Sequence, residues 1–467
     1  MQRLILALLL GLAATASQAF CGFYVGKADA NLFNEASQVI LVRDGNRTVV
    51  SMLNDYQGDL KAFAIVVPVP TVLQKSQVHV GEKKLFERLD AYSAPRLAEY
   101  YDPNPCDRHR YSRSDMAMPA APPPVAAAKP KSAKALGVTV EASFSVGEYD
   151  IVILSATQSD GLETWLKQSG YRIPANSAQA LAPYIRQNMK FFVAKVNLAE
   201  QAKTGFQMLR PLQFAYESEK FMLPIRLGMA NAQGPQDLIA FVMTKNGRVE
   251  TSNYRTLKLP SNMDLPLFLK QGSEFRDFYK AMFGEQAKKE GYSVAFTEYF
   301  WDMSWCDPCA ADPLSPEELR QAGVFWVDSL KAPVIAPAPA RAPSPPSSPP
   351  PTTLAPMPVP PGGAAQPVML TRLHIRYTPE TFPEDLMFQE TKDRQNFQTR
   401  YVLRHPAQVA ADACPEAGDY LASVARRQEQ EAQQLATLTG GNIDQIRKKL
   451  SLPPPAPSNP WWEGLWK

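Results

Sequence analysis

The sequence is poor in histidine and cysteine, carries no excess of either charge sign, and contains no apolar run long enough to span a bilayer. Four histidines occur in 467 residues. They are His79, His109, His374 and His405, far apart and without a His-x-x-x-His pair, so the helical zinc-hydrolase signature is excluded. Lys plus Arg is 49 against 46 Asp plus Glu, a net charge of +3. That balance gives no basic surplus to drive dedicated nucleic-acid binding. The apolar run Leu4 to Leu12 falls short of the about 20 residues a membrane helix needs. No later segment reaches that length without a charge or a proline. Gly-x-Ser-x-Gly, a phosphate-binding glycine loop and an EF-hand loop are absent as well, which lowers the expectation of an enzyme.

What is present is a globular composition, 45% hydrophobic and 20% charged, behind an export signal. Residues 1–19 hold one charge at Arg3, the apolar run, and then the small residues Ala13, Ala14, Ala16, Ser17 and Ala19, the order of a secretory signal peptide. Cleavage after Ala19 would leave Phe20 first. Phe20 sits where lipoprotein processing requires a small residue, so lipidation of Cys21 is not expected. The mature chain is expected outside the cytoplasm, periplasmic or secreted, with no transmembrane segment. There the five cysteines, Cys21, Cys106, Cys306, Cys309 and Cys414, favour disulfides, and an odd count leaves at least one unpaired. The pairing expected here is Cys21 with Cys106, and Cys414 with Cys306 or Cys309.

Proline marks the joints. Of 43 prolines, 5 fall in residues 118–130, 14 in 332–367 and 5 in 453–460. These Pro/Ala stretches read as extended spacers, partly polyproline II. They divide the mature chain into 20–117, 131–331 and 368–452, with a Pro/Trp-rich tail at 453–467. Hairpins are predicted around Asp44-Gly45 and around Asn246-Gly247. Further strands are predicted at Ala62 to Val69, Val138 to Val146, Asp150 to Leu154, Phe191 to Val196 and Leu370 to Tyr377. Helices are predicted at Glu82 to Ala91, Gly161 to Gln168, Ser177 to Asn188, Glu274 to Glu290 and Ala417 to Thr439, the last stopped by Gly440. Hairpins with interspersed helices and no regular strand–helix alternation indicate an α+β fold with a largely antiparallel sheet. The block 368–452 has too few elements for its own core, so one composite domain interrupted by proline-rich linkers is expected.

Several local patterns bear on chemistry. Trp305-Cys306-Asp307-Pro308-Cys309 resembles a thioredoxin-type redox motif. Pro313 and Pro316 interrupt the helix that should follow, and a structural disulfide or tight loop is the plainer reading. Zinc bound by these cysteines with Cys414 and His405 is a weaker alternative, because one Cys-x-x-Cys knuckle is little evidence; neither a metal nor a cofactor is expected. In Leu370 to Tyr377 the alternation puts Thr371, Leu373, Ile375 and Tyr377 on one face and Arg372, His374 and Arg376 on the other. With Arg400, Arg404 and His405 on a later strand these form a candidate anion site. Ordinary surface ion pairs with Glu380, Glu384, Asp385 and Glu390 are the favoured reading. Tyr299, Phe300, Trp301 and Trp305 beside Glu298, Asp302 and Asp307 suggest either a sugar-binding platform or simply core. Trp461, Trp462 and Trp466 behind a proline spacer form a candidate docking tail for this chain, a partner or a membrane surface.

Six blocks of the sequence together resemble one uncharacterised exported bacterial family, domain of unknown function twenty-three thirty. They are Phe20 to Val25, Phe63 to Thr71, Leu89 to Leu97, Ser159 to Leu166, Trp305 to Cys309 and Phe382 to Leu386. The resemblance implies bacterial origin, export and one domain spanning both sides of the long linker. It implies no activity and no site residues. The function expected is that of a non-catalytic cell-envelope protein that binds a partner or ligand. The alternative is an exported enzyme, either a thiol oxidoreductase through Cys306 and Cys309 or a hydrolase whose residues are unassigned.

Overall fold

Along the first hairpin, strands Phe33–Asp44 and Arg47–Gln57, apolar residues occupy both alternating faces. Val39, Leu41, Val50 and Met52 point one way and Ile40, Val42 and Val49 the other, and all are buried. A sheet apolar on both sides needs a cover on each. The computed structural model of the chain shows both covers. It describes residues 23–27, 33–57, 63–107, 138–168, 171–172, 177–204, 209–231, 234–305, 312–327 and 367–452. The signal segment 1–19, the 118–130 insertion, residues 332–366, Cys21, Cys306, Cys309 and the tail residues Trp461, Trp462 and Trp466 lie outside them.

The hairpin belongs to a mixed central sheet. In spatial order its strands are Arg255–Lys258, Val294–Asp302, Met369–Tyr377, Gln236–Thr244, Phe33–Asp44, Arg47–Gln57, Leu212–Glu217 and Val78–Val80. One face packs on a six-stranded antiparallel sheet ordered Val138–Val146, Tyr149–Ala156, Lys190–Val196, Phe63–Val69, Phe23–Lys27 and Tyr171–Arg172. Leu238, Val242, Leu373 and Ile375 there meet Ile65, Val67, Ile151 and Phe192. The other face is covered by Leu85, Phe86, Leu89 and Tyr92 of helix Lys83–Ser93 and by Leu319, Val324 and Trp326. Helices Ser159–Gln168 and Ser177–Arg186 cover the outside of the six-stranded sheet. A further cluster joins Phe278, Met282 and Phe283 of helix Glu274–Lys289 to Tyr401 and Leu403, and to Leu435 and Leu438 of helix Ala417–Thr439. The fold is α+β, and its two large sheets are mainly antiparallel.

The chain after the long proline-rich stretch supplies an interior strand. Met369–Tyr377 pairs with Gln236–Thr244 on one side and Val294–Asp302 on the other. Its entry is anchored where Trp326 Nε1 donates to the Pro367 carbonyl at 3.2 Å and Met303 N donates to the Val368 carbonyl at 2.9 Å.

Two sequence expectations are corrected. Asn246-Gly247 does not close a hairpin: Gln236–Thr244 already has a strand on each edge, and Val249–Thr251 pairs instead with Leu386–Glu390. Glycine is required at 247 because a Cβ would lie 2.2 Å from the Thr391 carbonyl oxygen. The cysteine pairing also differs. Cys106 is bonded to Cys414, 308 residues away, and to neither of the partners expected for the two. Helix Ala417–Thr439 lies against the sheet that contains Arg96–Tyr101, so its first turn brings Cys414 to the loop that follows that strand.

Candidate functional site

The cationic face of Met369–Tyr377 is enclosed. Arg372 and His374 are buried beneath helices Lys83–Ser93 and Glu274–Lys289. The carboxylates they meet are none of the four expected from sequence. A register shift between Thr297 and Tyr299 leaves Glu298 as the extra residue of a β-bulge, which turns its side chain toward the helix side. There Glu298 accepts from Arg372 Nε at 2.5 Å and faces His374 Nδ1 at 2.6 Å. The Tyr279 hydroxyl donates to the same carboxylate. Arg372 also donates to Asp90 at 2.6 Å, and Arg376 makes a two-pronged pair with Asp237 at 2.7 and 2.6 Å. His374 stacks on Phe283 with ring centres 3.6 Å apart.

Three cationic groups thus face three carboxylates, which is how buried charge is tolerated. Burial by itself would raise the Glu298 pKa; Arg372 and His374 overcome this and hold it at about 2. Burial would lower that of His374, and Glu298 with Asp237 raises it instead. The carboxylates on either side thus favour the imidazolium form more than solvent would. Arg400 and Arg404 lie apart from this knot, on strand Arg400–His405. Arg400 donates to Asn262 at 2.9 Å and Arg404 to Asp264 at 2.9 Å, while His405 Nε2 lies 2.8 Å from Glu99. The expected surface pairs at Arg372 and His374 are core pairs, and the six arginine and histidine residues of the candidate anion site do not converge as one group: Arg372, His374 and Arg376 lie in the knot, and Arg400, Arg404 and His405 lie apart from it. Tyr299 and Phe300 are likewise core, and Trp305 is exposed. Cys414, being disulfide-bonded, offers no thiolate for zinc. Among the described residues no group of three His, Cys, Asp or Glu side chains is placed to hold a metal.

Cations whose partners are neutral lie elsewhere, at the end of the sandwich where residues 218–224 leave strand Leu212–Glu217. A cleft of about 270 Å³ opens there, walled by Pro68, Pro70, Met189 and Met222, with Tyr216 and Lys220 at its border. Pro68 and Pro70 close strand Phe63–Val69, and Met189 precedes Lys190–Val196, so neighbouring strand ends form the wall. Tyr216 is 8% exposed, its ring packed on Phe214, and its hydroxyl has no hydrogen-bond partner among the described residues. Burial pushes its pKa up to about 12, and the nearby Arg43 charge opposes the rise. Arg43, 7% exposed, donates to Thr48 Oγ1 at 2.7 Å and to the carbonyls of Asn46 at 3.3 Å and Glu219 at 3.2 Å. All three acceptors are neutral. Lys220 Nζ donates to Gln187 Oε1 at 2.8 Å and has no carboxylate partner among the described residues. A second cleft of about 410 Å³ lies beside Arg47, Gln77 and Phe325, but there Arg47 and Glu217 neutralise each other at 3.2 Å.

Sequence reasoning passed over Arg43, although one signal was there. Arg43 continues the Val39, Leu41 alternation, so it is a cation at an inward position of an apolar strand.

Residues 15–389 match the model of a family described as an uncharacterized protein conserved in bacteria, DUF2330. The chain belongs to this family. The match contains both Glu298 and the cleft around Tyr216, and it ends at the strand Leu386–Glu390. No curated protein and no solved structure matches the chain. Among the described residues no helix is long and apolar enough to cross a membrane.

Proposed function

We propose that this DUF2330 protein is exported to the bacterial cell envelope and binds a ligand or partner there without transforming it. The observation that carries this reading is the Tyr216 hydroxyl, which has no hydrogen-bond partner among the described residues and belongs to a residue more than nine-tenths buried that lines the Pro68–Met189–Met222 cleft. The hydroxyl oxygen keeps contact with solvent, and a bound molecule that displaces that water must supply its hydrogen-bond partner. The most elaborate charged cluster, around Glu298, has its groups committed to one another and lies under two helices, which suits a structural role.

The test is a melting-temperature screen of the mature chain against small acids, amines, sugars and peptides. A ligand present at 100 times its Kd stabilises by about 2.7 kcal/mol. The reading expects at least one class to raise the melting temperature, an effect reduced in Tyr216→Phe, with the compound recovered unchanged. Chemical conversion of the bound compound would overturn it, as would a screen with no stabilising class.

The alternative thiol chemistry keeps one support. With Cys414 bonded to Cys106, Cys306 and Cys309 remain available to each other. Rapid exchange of a Cys306–Cys309 disulfide with a small dithiol would favour that reading.

A further inference from the structure

We infer that the cleft at Tyr216 binds a small organic carboxylate, an apolar body carrying one anionic end. This rests on the ligand-binding reading above and adds the ligand's chemistry.

Buried cations in folded proteins are paired with anions, because an isolated buried charge is among the costliest groups a core can hold. The buried Arg372 follows that rule through Glu298 and Asp90, as do the half-buried Arg376 through Asp237 and Arg226 through Asp385. Arg43 does not. It is as buried as Arg372, yet it meets two carbonyls, one hydroxyl and the ring of Phe221 at 5.2 Å, and among the described residues no carboxylate within ion-pair distance. Its guanidinium also bonds the carbonyl of Glu219, a residue that borders the cleft. Positive potential is therefore built into the wall behind Tyr216, offset only by Glu390 acting from beyond ion-pair distance.

Two further donors stand at the same opening. The Tyr216 hydroxyl is unused, and the Lys220 ammonium spends one proton on the neutral Gln187 amide. Lys220 is exposed and its backbone is fixed by the bond from its N–H to Ser218 Oγ at 3.2 Å. A hydroxyl, an ammonium and a guanidinium field together present donors and positive charge, which a carboxylate satisfies and a neutral alcohol does not. Glu219 is the carboxylate residue of the border, and its side chain is exposed.

The rest of the lining sets the body. Pro68, Pro70, Pro224, Met189 and Met222 offer no donors from their side chains, and Met189 and Met222 are themselves 6% and 8% exposed. A cleft of about 270 Å³ is at the small end for organic ligands. Thioethers adapt to irregular aliphatic shapes and contact aromatic rings well. A short-chain or monocyclic acid fits this combination better than a sugar, which needs donors and acceptors all round.

Calorimetric titration of the full mature chain with hexanoate, hexanol and inorganic phosphate tests the inference. Hexanoate is expected to bind at least about tenfold tighter than hexanol, with phosphate weaker than both. Lys220→Gln, a change on an exposed side chain, should weaken hexanoate about tenfold and leave hexanol unchanged. Tyr216→Phe keeps the ring and removes the hydroxyl, and it should also weaken hexanoate; an unchanged circular dichroism spectrum excludes misfolding. Equal binding of hexanoate and hexanol would overturn the anion assignment while the ligand-binding reading stands. Hexanoate affinity unaffected by both substitutions would place the acid elsewhere and overturn the site. If none of the three probes binds, the carboxylate assignment falls, and the broader ligand-binding reading is then decided by the wider melting screen.

Discussion

Arg372 Nε donates to Glu298 Oε2 at 2.5 Å between adjacent strands, and the Glu298 side chain is wholly shut off from solvent. Removing one partner of a buried ion pair strands the other, a loss of about 3–5 kcal/mol. Glu298→Gln should show a loss of that size in chemical denaturation. Glu285→Gln, which alters only pairs to the exposed Lys288 and Lys289, should stay within about 0.5 kcal/mol of the parent.

The same cluster sets a pH window. Glu298 titrates near 2 when folded against the usual value of 4.5, so the stability it contributes is present above about pH 4.5 and is lost as pH falls toward 2. His374 runs the other way. Its pKa is raised above 6.5, so its contribution is complete below 6.5 and disappears as pH rises through the raised value. Unfolding free energy followed from pH 2 to 9 should decline at both ends, and the acid decline should shrink in Glu298→Gln.

Glu431 should behave oppositely to Glu298. It is buried on helix Ala417–Thr439, with Arg427 at 3.5 Å on its own helix and Asp102, Asp264 and Arg404 facing it from other elements. Burial dominates and raises its pKa to about 7. The folded form thus prefers the protonated carboxyl, and stability falls as pH rises from about 4.5 to about 7. Glu431→Gln should be more stable than the parent at pH 8 and similar at pH 4, as thermal melts at the two values would show.

The Cys106–Cys414 bond closes a span of 308 residues. Losing such a cross-link typically costs about 2–5 kcal/mol. Cys414→Ser should lower stability by an amount in that range, and non-reduced peptide mapping should recover a fragment joining 106 to 414. A fragment joining Cys414 to Cys306 or Cys309 would contradict the observed pairing.

Cleavage within 332–366 should leave two pieces that stay together. Met369–Tyr377 is hydrogen-bonded on both edges by strands from the earlier part of the chain. Limited proteolysis followed by size-exclusion chromatography in reductant, which opens the Cys106–Cys414 bond that otherwise ties the two pieces covalently, should show co-elution until denaturant is added. Separate elution of folded halves would be incompatible with that pairing.

Local pattern was enough for elements whose neighbours do not alter them. The Val39 to Met52 hairpin and the helix 417–439, stopped by Gly440 at φ +68°, appear as predicted because turn chemistry and helical period decide them. Asn246-Gly247 misled because the flanking strand was already saturated on both edges, a fact held 130 residues away in Met369–Tyr377. The face assignment in 369–377 was correct, but its exposure was not. Nothing local marks Glu298 as a bulge residue that returns a carboxylate to Arg372 and His374. Long-range partners likewise decided the cysteines. The cleft was least visible, since its walls come from strand ends at 68–70, 187–189 and 216–224 that meet only in the folded chain.

The most direct test of where this protein binds is hydrogen–deuterium exchange of the mature chain with and without hexanoate. Protection is expected to concentrate in peptides covering 187–189 and 216–224, and in Lys220→Gln to need about tenfold more hexanoate. Protection centred instead on Arg400 to His405, or a hexanoate-independent exchange pattern, would contradict the assignment of the ligand site to Tyr216.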